Sequence, residues 1–236
     1  MAHPTPVVAL DVADAASAFA LLDRLGPAAA FVKVGLQLFT AEGPGVVREL
    51  RGRNLRVFLD LKLHDIPNTV AHAVKSAAAL DVELLTVHAS GGASMLRAAA
   101  EAASGTALTL LAVTVLTSLD ERELAEAWGR GEVEMEREVE RLARLAAHCG
   151  IPGVVASVRE LPAVRRAAPG LRVLTPGIRL AGDAPGDQSR VATPGEAARL
   201  GANYAVLGRS ITAAADPAAA LGLAIEEMRE AGGGMG

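Results

Sequence analysis

Eight short apolar segments alternate with helical segments along 236 residues. That alternation predicts an α/β protein folded as a closed (β/α)8 TIM barrel, one domain over residues 1–236. Helices lying between consecutive strands force crossover connections, and crossovers imply parallel pairing. A doubly wound open sheet would use the same elements. Against it, the first strand lacks the glycine-rich turn of a dinucleotide-binding half.

Taken in order, residues 6–12 (PVVALDV) read as a buried strand with Asp11 at its end, followed by a helix over 15–25 that stops at Gly26-Pro27. Residues 31–35 (FVKVG) form the second strand, with a helix over 44–52. The third strand, 56–63, leads into a helix over 68–80. Residues 84–90 (LLTVHAS) are the fourth strand, and Gly91-Gly92 turns into a helix over 93–103. The fifth strand is 108–116. Two helices follow it, over 121–128 and 133–148. In the latter, Met135, Val139, Leu142, Leu145 and Ala146 make an apolar stripe opposite a solvated Glu/Arg face. Strands over 153–157, 172–178 and 204–210 complete the set. A Gly/Pro/Asp-rich loop at 180–191 and a helix over 194–200 separate the last two. Asp216-Pro217 caps a final helix ending near Glu230.

Bulk properties remove several classes of function. Apolar residues are 51% of the chain, enough for a large core, yet no apolar run approaches the length of a membrane span. The start, Met-Ala-His-Pro-Thr-Pro, has neither the basic region nor the apolar core of a secretory leader. The single Cys149 excludes an intrachain disulfide and fits a reducing, cytoplasmic setting. A net charge of −4 without basic runs argues against nucleic acid as a partner. Only Lys33, Lys62 and Lys75 of the 23 basic residues are lysines, the rest being arginines. Two of the three lie in otherwise apolar strands. Lysine can give up a proton where arginine is effectively always charged, so this placement points to proton chemistry.

The stretch from Val57 to Val70 concentrates the chemistry. Its first half alternates, with Val57, Leu59, Leu61 and Leu63 expected on one face and Phe58, Asp60, Lys62 and His64 on the other. Residues two apart on a strand are roughly 6.5–7 Å apart, so Asp60 and Lys62 project side by side. Pro67 suits the first turn of a helix. Asp65, Asn68 and Thr69 then crowd the junction just beyond. An isolated D-x-K on a strand usually makes a solvated salt bridge. Here the ends of the other strands carry polar residues as well: Asp11, Lys33, His88, Thr117 with Ser118, Arg179, and Gly208 with Arg209. In a barrel these all fall on the C-terminal rim, where active sites lie. Arg179 and Gly208-Arg209 follow the seventh and eighth strands, a position suited to a phosphate. Gln188 lies in the intervening loop, whose Gly182, Pro185 and Gly186 suit a segment that folds over a ligand.

The run Asp60-Leu61-Lys62-Leu63-His64-Asp65-Ile66-Pro67-Asn68-Thr69-Val70 resembles the signature of the orotidine 5′-phosphate decarboxylase family, in its bacterial form. A bare D-x-K-x-x-D would point only to a wider superfamily of phosphosugar-processing barrels; the I-P-N-T continuation is more specific. The resemblance extends over nearly the whole chain. It implies conversion of orotidine 5′-monophosphate to uridine 5′-monophosphate and CO2, the last step of pyrimidine nucleotide synthesis, without cofactor or metal. It assigns Lys62, Asp60, Asp65 and Lys33 to catalysis, Asp11 and Lys33 to the ribose, and Thr117 to the pyrimidine. Arg179, Gln188, Gly208 and Arg209 fall on the phosphate side. Asp65 and Thr69 are implied to reach into a second subunit's site, which makes the enzyme a homodimer with shared sites. His88 matches a family histidine to which no role is assigned.

Two other functions compete. A metal-dependent barrel acting on a sugar phosphate needs a carboxylate cluster for Mg2+, and only Asp60 and Asp65 are evident on the third strand and its exit. A non-catalytic nucleotide-binding protein on the same fold would not need the intact Asp60–Lys62–Asp65 set.

Overall fold

The computed structural model describes residues 3–182 and 190–233 of the chain. Its centre is a closed barrel of eight parallel strands in sequential order, β1-β2-β3-β4-β5-β6-β7-β8, with β8 pairing back onto β1. The strands are β1 (Thr5–Ala9), β2 (Phe31–Gly35), β3 (Arg56–Leu63), β4 (Leu84–His88), β5 (Thr109–Val113), β6 (Gly153–Val155), β7 (Arg172–Ile178) and β8 (Tyr204–Leu207). The expected barrel is therefore present, and the open sheet is not.

The residues fill two apolar layers, as a barrel with an outer ring of helices requires. Phe31, Phe58, Leu84, Leu111, Leu174 and Val206 are among those that point inward and pack the barrel interior. The alternate strand positions, such as Val32, Val57, Leu85 and Val173, face outward against the helices. Burial of one such side chain contributes roughly 1.5–3 kcal/mol.

The helices are α1 (Ala15–Leu25), α2 (Leu36–Glu42), α3 (Pro44–Gly52), α4 (Pro67–Ala78), α5 (Gly92–Ala103), α6 (Glu121–Ala127), α7 (Met135–His148), α8 (Leu161–Ala167), α9 (Pro194–Arg199), α10 (Arg209–Thr212) and α11 (Pro217–Gly233). Local chemistry sets their starts. Asp14 caps α1 by accepting from the Ser17 N–H at 2.7 Å. Asp120 with Glu123 and Thr193 with Glu196 form reciprocal capping boxes at α6 and α9. Pro67, Pro44 and Pro194 each occupy a first turn.

Three of these helices have no counterpart in the sequence reading. Helix α2 leaves β2 directly at Gly35, with no side-chain cap to announce it. Helices α8 and α10 span seven and four residues, too short for a helical period to register. The β4, β5, β6 and β8 ladders also stop before the apolar runs do, so residues 114–116 lie outside β5, and 209–210 open α10 instead of extending β8. On α7 the charged face is not wholly solvated. Glu138 is buried and ion-paired with Arg130 and, at 2.7 Å, with Arg141, and Leu145 is only half-buried. Among the described residues no helix is long and apolar enough to cross a membrane.

Candidate active site

The exit of β3 departs from a regular strand, and the departure builds the site. The ladder to β4 pairs Leu59 with Leu85 and Leu63 with Val87, so three residues, Asp60 to Lys62, oppose the single Thr86. The bulge is closed by Lys62 at φ 49°, a left-handed conformation uncommon outside glycine. Strict alternation thus fails at its end, and Leu61 and Leu63 are half-buried rather than core. Lys62 still lies beside Asp60, its Nζ donating to Asp60 Oδ2 at 2.9 Å, but a bulge rather than the pleat puts it there.

Asp60 is the centre of an ordered set of charges. Its Oδ2 also lies 3.8 Å from Lys33 Nζ, and Lys33 donates to Asp11 Oδ1 at 2.7 Å. Acid and base alternate from Asp11 on the exit of β1, through Lys33 on β2, to Asp60 and Lys62. The Lys33 and Asp60 side chains are 10% and 13% exposed, so this is not a solvated surface pair. Gly35 makes room for it. A methyl group there would lie 3.0 Å from Lys33 Nζ and 3.1 Å from Asp11 Oδ1.

Across the mouth, four strands away around the ring of eight, β7 has a bulge of its own. Thr175 pairs with Ala205 and Ile178 with Leu207, leaving Pro176 and Gly177 opposite one residue. Proline has no N–H to lose there, and Gly177 supplies φ 75°. Arg179 follows immediately and donates to the Ile178 carbonyl at 3.0 Å. Next to it, β8 ends at Leu207, Gly208 follows as the N-cap, and Arg209 opens α10.

Between these two sides lies a cavity of about 280 Å3. Asp11, Lys33, Asp60, Lys62, Thr117, Arg179, Gly208 and Arg209 all line it, above a floor that includes Phe58, Val155, Leu174 and Val206. Anionic and cationic groups on β1 to β3 face arginines on β7 and β8 over an apolar base. The arrangement suits a polar molecule carrying an anionic group at one end.

The family model described as Orotidine 5′-phosphate decarboxylase / HUMPS matches residues 4–223. The chain belongs to that family. A relative named orotidine 5′-phosphate decarboxylase from Moorella thermoacetica is 53% identical over 226 residues, covering 91% of this chain and 88% of the relative. One of the same name from Pseudomonas aeruginosa is 48% identical, covering 94% and 96%. The crystal structure of orotidine 5′-phosphate decarboxylase from Lactobacillus acidophilus superposes with a TM-score of 0.84 at 36% identity, over 96% of this chain and 99% of that one. The decarboxylase / HUMPS family description spans two branches, and these relatives carry the decarboxylase name.

Not every residue expected at a decarboxylase site lines the cavity. Asp65 and Thr69 do not, and both are exposed. Asp65 Oδ1 instead accepts the neighbouring Ile66 N–H at 2.6 Å. Gln188 lies outside the described residues. His88, on β4, stacks on His64 with ring centroids 5.5 Å apart, and its Nδ1 is 2.9 Å from Ser90 Oγ. Burial, then the neighbouring His64 and Lys62, hold its imidazole below the ordinary value.

The sequence reading missed Thr86, Gly35, the bulge at Pro176-Gly177 and the apolar floor. A proline–glycine pair inside a strand was the available signal for the β7 bulge. For Thr86 the signal was a lone hydroxyl in the apolar run LLTVH, which on its own has no partner to name.

Proposed function

We propose that this chain converts orotidine 5′-monophosphate to uridine 5′-monophosphate and CO2, without cofactor or metal, as the last step of pyrimidine nucleotide synthesis in the cytoplasm. The observation that carries the reading is the alternating Asp11–Lys33–Asp60–Lys62 array over an apolar floor, facing Arg179 and Arg209 across one cavity.

Loss of CO2 leaves a negative charge at ring carbon C6, and no electron sink is at hand to spread it. Lys62, as ammonium, stabilises that charge and then delivers a proton to C6. Asp60 stands next to Lys62 and therefore next to the substrate carboxylate. Two unit charges ~4 Å apart interact by ~4 kcal/mol at an effective dielectric near 20, and this repulsion vanishes as neutral CO2 departs. Stabilisation by Lys62 ranks first, because it acts on the charge that develops. Asp11 and Lys33 hold the ribose and Thr117 the pyrimidine. Arg179, Gly208, Arg209 and Gln188 take the phosphate, whose binding energy helps order the site.

Asp65 and Thr69 of each chain serve the site of a second copy, so the working unit is a homodimer. Their exposure and their position outside their own cavity support this. So does Ile66 between them, whose side of the rim leaves it 66% exposed. The metal-dependent alternative gains no support from the donor groups. Among the described residues no three His, Cys, Asp or Glu side chains stand together as a metal site, and Asp60 is engaged by two lysines.

The test is the loss of ultraviolet absorbance of orotidine 5′-monophosphate with purified protein and excess chelator. Turnover should be unaffected by the chelator and abolished by Lys62→Ala. Retention of more than about a tenth of the rate, a barrier change under ~1.4 kcal/mol, would exclude Lys62 as the proton donor.

A further inference from the structure

We infer that Thr86, on β4, is a positioning residue for the decarboxylation, its one hydroxyl setting both the Asp60 carboxylate and the left-handed backbone of Lys62. The inference rests on the functional reading above and adds to it a residue that touches none of the cavity.

The bulge in β3 creates the need. With Asp60, Leu61 and Lys62 opposite one residue, the regular ladder pairing is interrupted at Lys62. Thr86 Oγ1 accepts that N–H at 2.9 Å. The hydroxyl keeps one proton, and it donates it to Asp60 Oδ1 at 2.9 Å. Asp60 Oδ2 takes the Lys62 ammonium at the same distance. A closed circuit results: Lys62 backbone to Thr86, Thr86 to Asp60, and Asp60 to the Lys62 side chain. Both carboxylate oxygens are thereby fixed, and so is the residue that carries the ammonium.

Ordinary burial does not explain this pattern. Most buried hydroxyls take a partner, and two other buried threonines of this barrel find one in the backbone of the next strand. Thr114 donates to the Val155 carbonyl at 2.9 Å and Thr175 to the Tyr204 carbonyl at 3.3 Å. Thr86 is fully buried, and its inward strand position stacks it above Leu84, away from solvent. Its hydroxyl instead turns to the charged group at the centre of the site. A strained φ at a functional lysine persists only when its surroundings over-determine it, and Thr86 supplies that restraint.

Thr86→Val replaces the hydroxyl with a methyl of nearly the same shape. It leaves the Lys62 N–H without an acceptor and Asp60 Oδ1 without its donor. The expected result is a fall in kcat of about tenfold or more, because a lost buried bond to a charged group is reached only through the reacting pair. The KM for orotidine 5′-monophosphate and the affinity for uridine 5′-monophosphate should change less than about threefold, since Arg179, Arg209 and Thr117 are untouched. Thr86→Ser, which keeps the hydroxyl, should recover most of the loss. If Thr86→Val does not fold, Thr86→Cys carries the same expectation, with a thiol that is only a weak donor and acceptor. A kcat within threefold of wild type for a folded Val or Cys variant overturns the inference. So does a Ser variant as slow as Val, or a loss confined to KM. Wild type and Lys62→Ala run alongside separate the two claims. An inactive wild type defeats the functional reading itself, whereas active wild type, inactive Lys62→Ala and a normal Thr86→Val defeat only the role of Thr86.

Discussion

Mixing two inactive variants is the sharpest test of how the site is assembled. Lys62 lines its own cavity, with Nζ 2.9 Å from Asp60 Oδ2. Asp65 lies only three residues further on, yet β3 has ended at Leu63 and α4 begins at Pro67. Its exposed carboxylate accepts the Ile66 N–H and lies outside that cavity. If Asp65 serves a second copy, Lys62→Ala and Asp65→Ala homodimers are each inactive for different reasons. In a mixed dimer one site carries both defects. The other combines an intact Lys62 from one chain with an intact Asp65 from its companion. Random exchange of equal amounts makes about half the dimers mixed, each with one good site, so roughly a quarter of wild-type activity returns for a symmetric pair. The assay is orotidine 5′-monophosphate turnover before and after a denature–renature or dilution step, with exchange verified by mass. Verified exchange with activity still at the level of the separate variants would show that Asp65 serves its own chain, and the shared-site reading would be wrong.

Other expectations follow from the same geometry. Arg209→Ala should weaken nucleotide binding strongly while leaving turnover of phosphate-free orotidine largely unaffected; equal losses on both substrates would remove Arg209 from the phosphate. Gly35→Ala places a methyl 3.0 Å from Lys33 Nζ, and crowding of this kind costs roughly 1–3 kcal/mol, so kcat/KM should fall by about an order of magnitude. Wild-type kinetics in a folded Gly35→Ala variant would show that the Asp11–Lys33 contact is dispensable. His88 is held below 6.5 by burial, then by His64 and Lys62, so below that pH the unfolded chain binds a proton that the folded one does not. Stability should therefore decline as pH falls through about 6.5, and less so in His88→Gln; identical urea midpoints from pH 8 to pH 5 in both proteins would contradict it.

The parts of the molecule legible in the sequence are those governed by short-range pattern. Apolar runs gave eight strands because parallel barrel strands are covered on both faces, and Pro67 and Asp216-Pro217 marked helix starts because capping is local. Polar residues at the ends of those runs fell on one rim, and eight of them line one cavity. What was not legible depends on what lies across the ladder. Alternation from Val57 to His64 names the right neighbour for Asp60 but the wrong cause, a pleat in place of a bulge, since nothing in β3 alone says that Thr86 will face three residues. Gly35 is similar. Its φ of −94° needs no glycine, and only the ion pair lying over it would be crowded by a side chain.

The two register shifts of the barrel have a common consequence. A regular strand fixes its side chains by the pleat, alternately in and out, and so cannot present two consecutive functional groups at chosen angles. Both β3 and β7 lose register in their last residues, on opposite sides of the mouth, and Asp60 and Lys62 on one side and Pro176 and Gly177 on the other line the cavity. On β7 the chain meets the conformational demand with Gly177, which adopts φ 75° without steric cost. On β3 that solution is closed, because the residue at φ 49° must carry an ammonium. A left-handed L-residue costs roughly 1–2 kcal/mol, of the same order as one buried hydrogen bond to a charged group. The Thr86 hydroxyl and the Asp60 carboxylate together offset it. Glycine serves where the backbone alone must turn, and a strained lysine with a buried threonine behind it serves where the turn must also carry the charge.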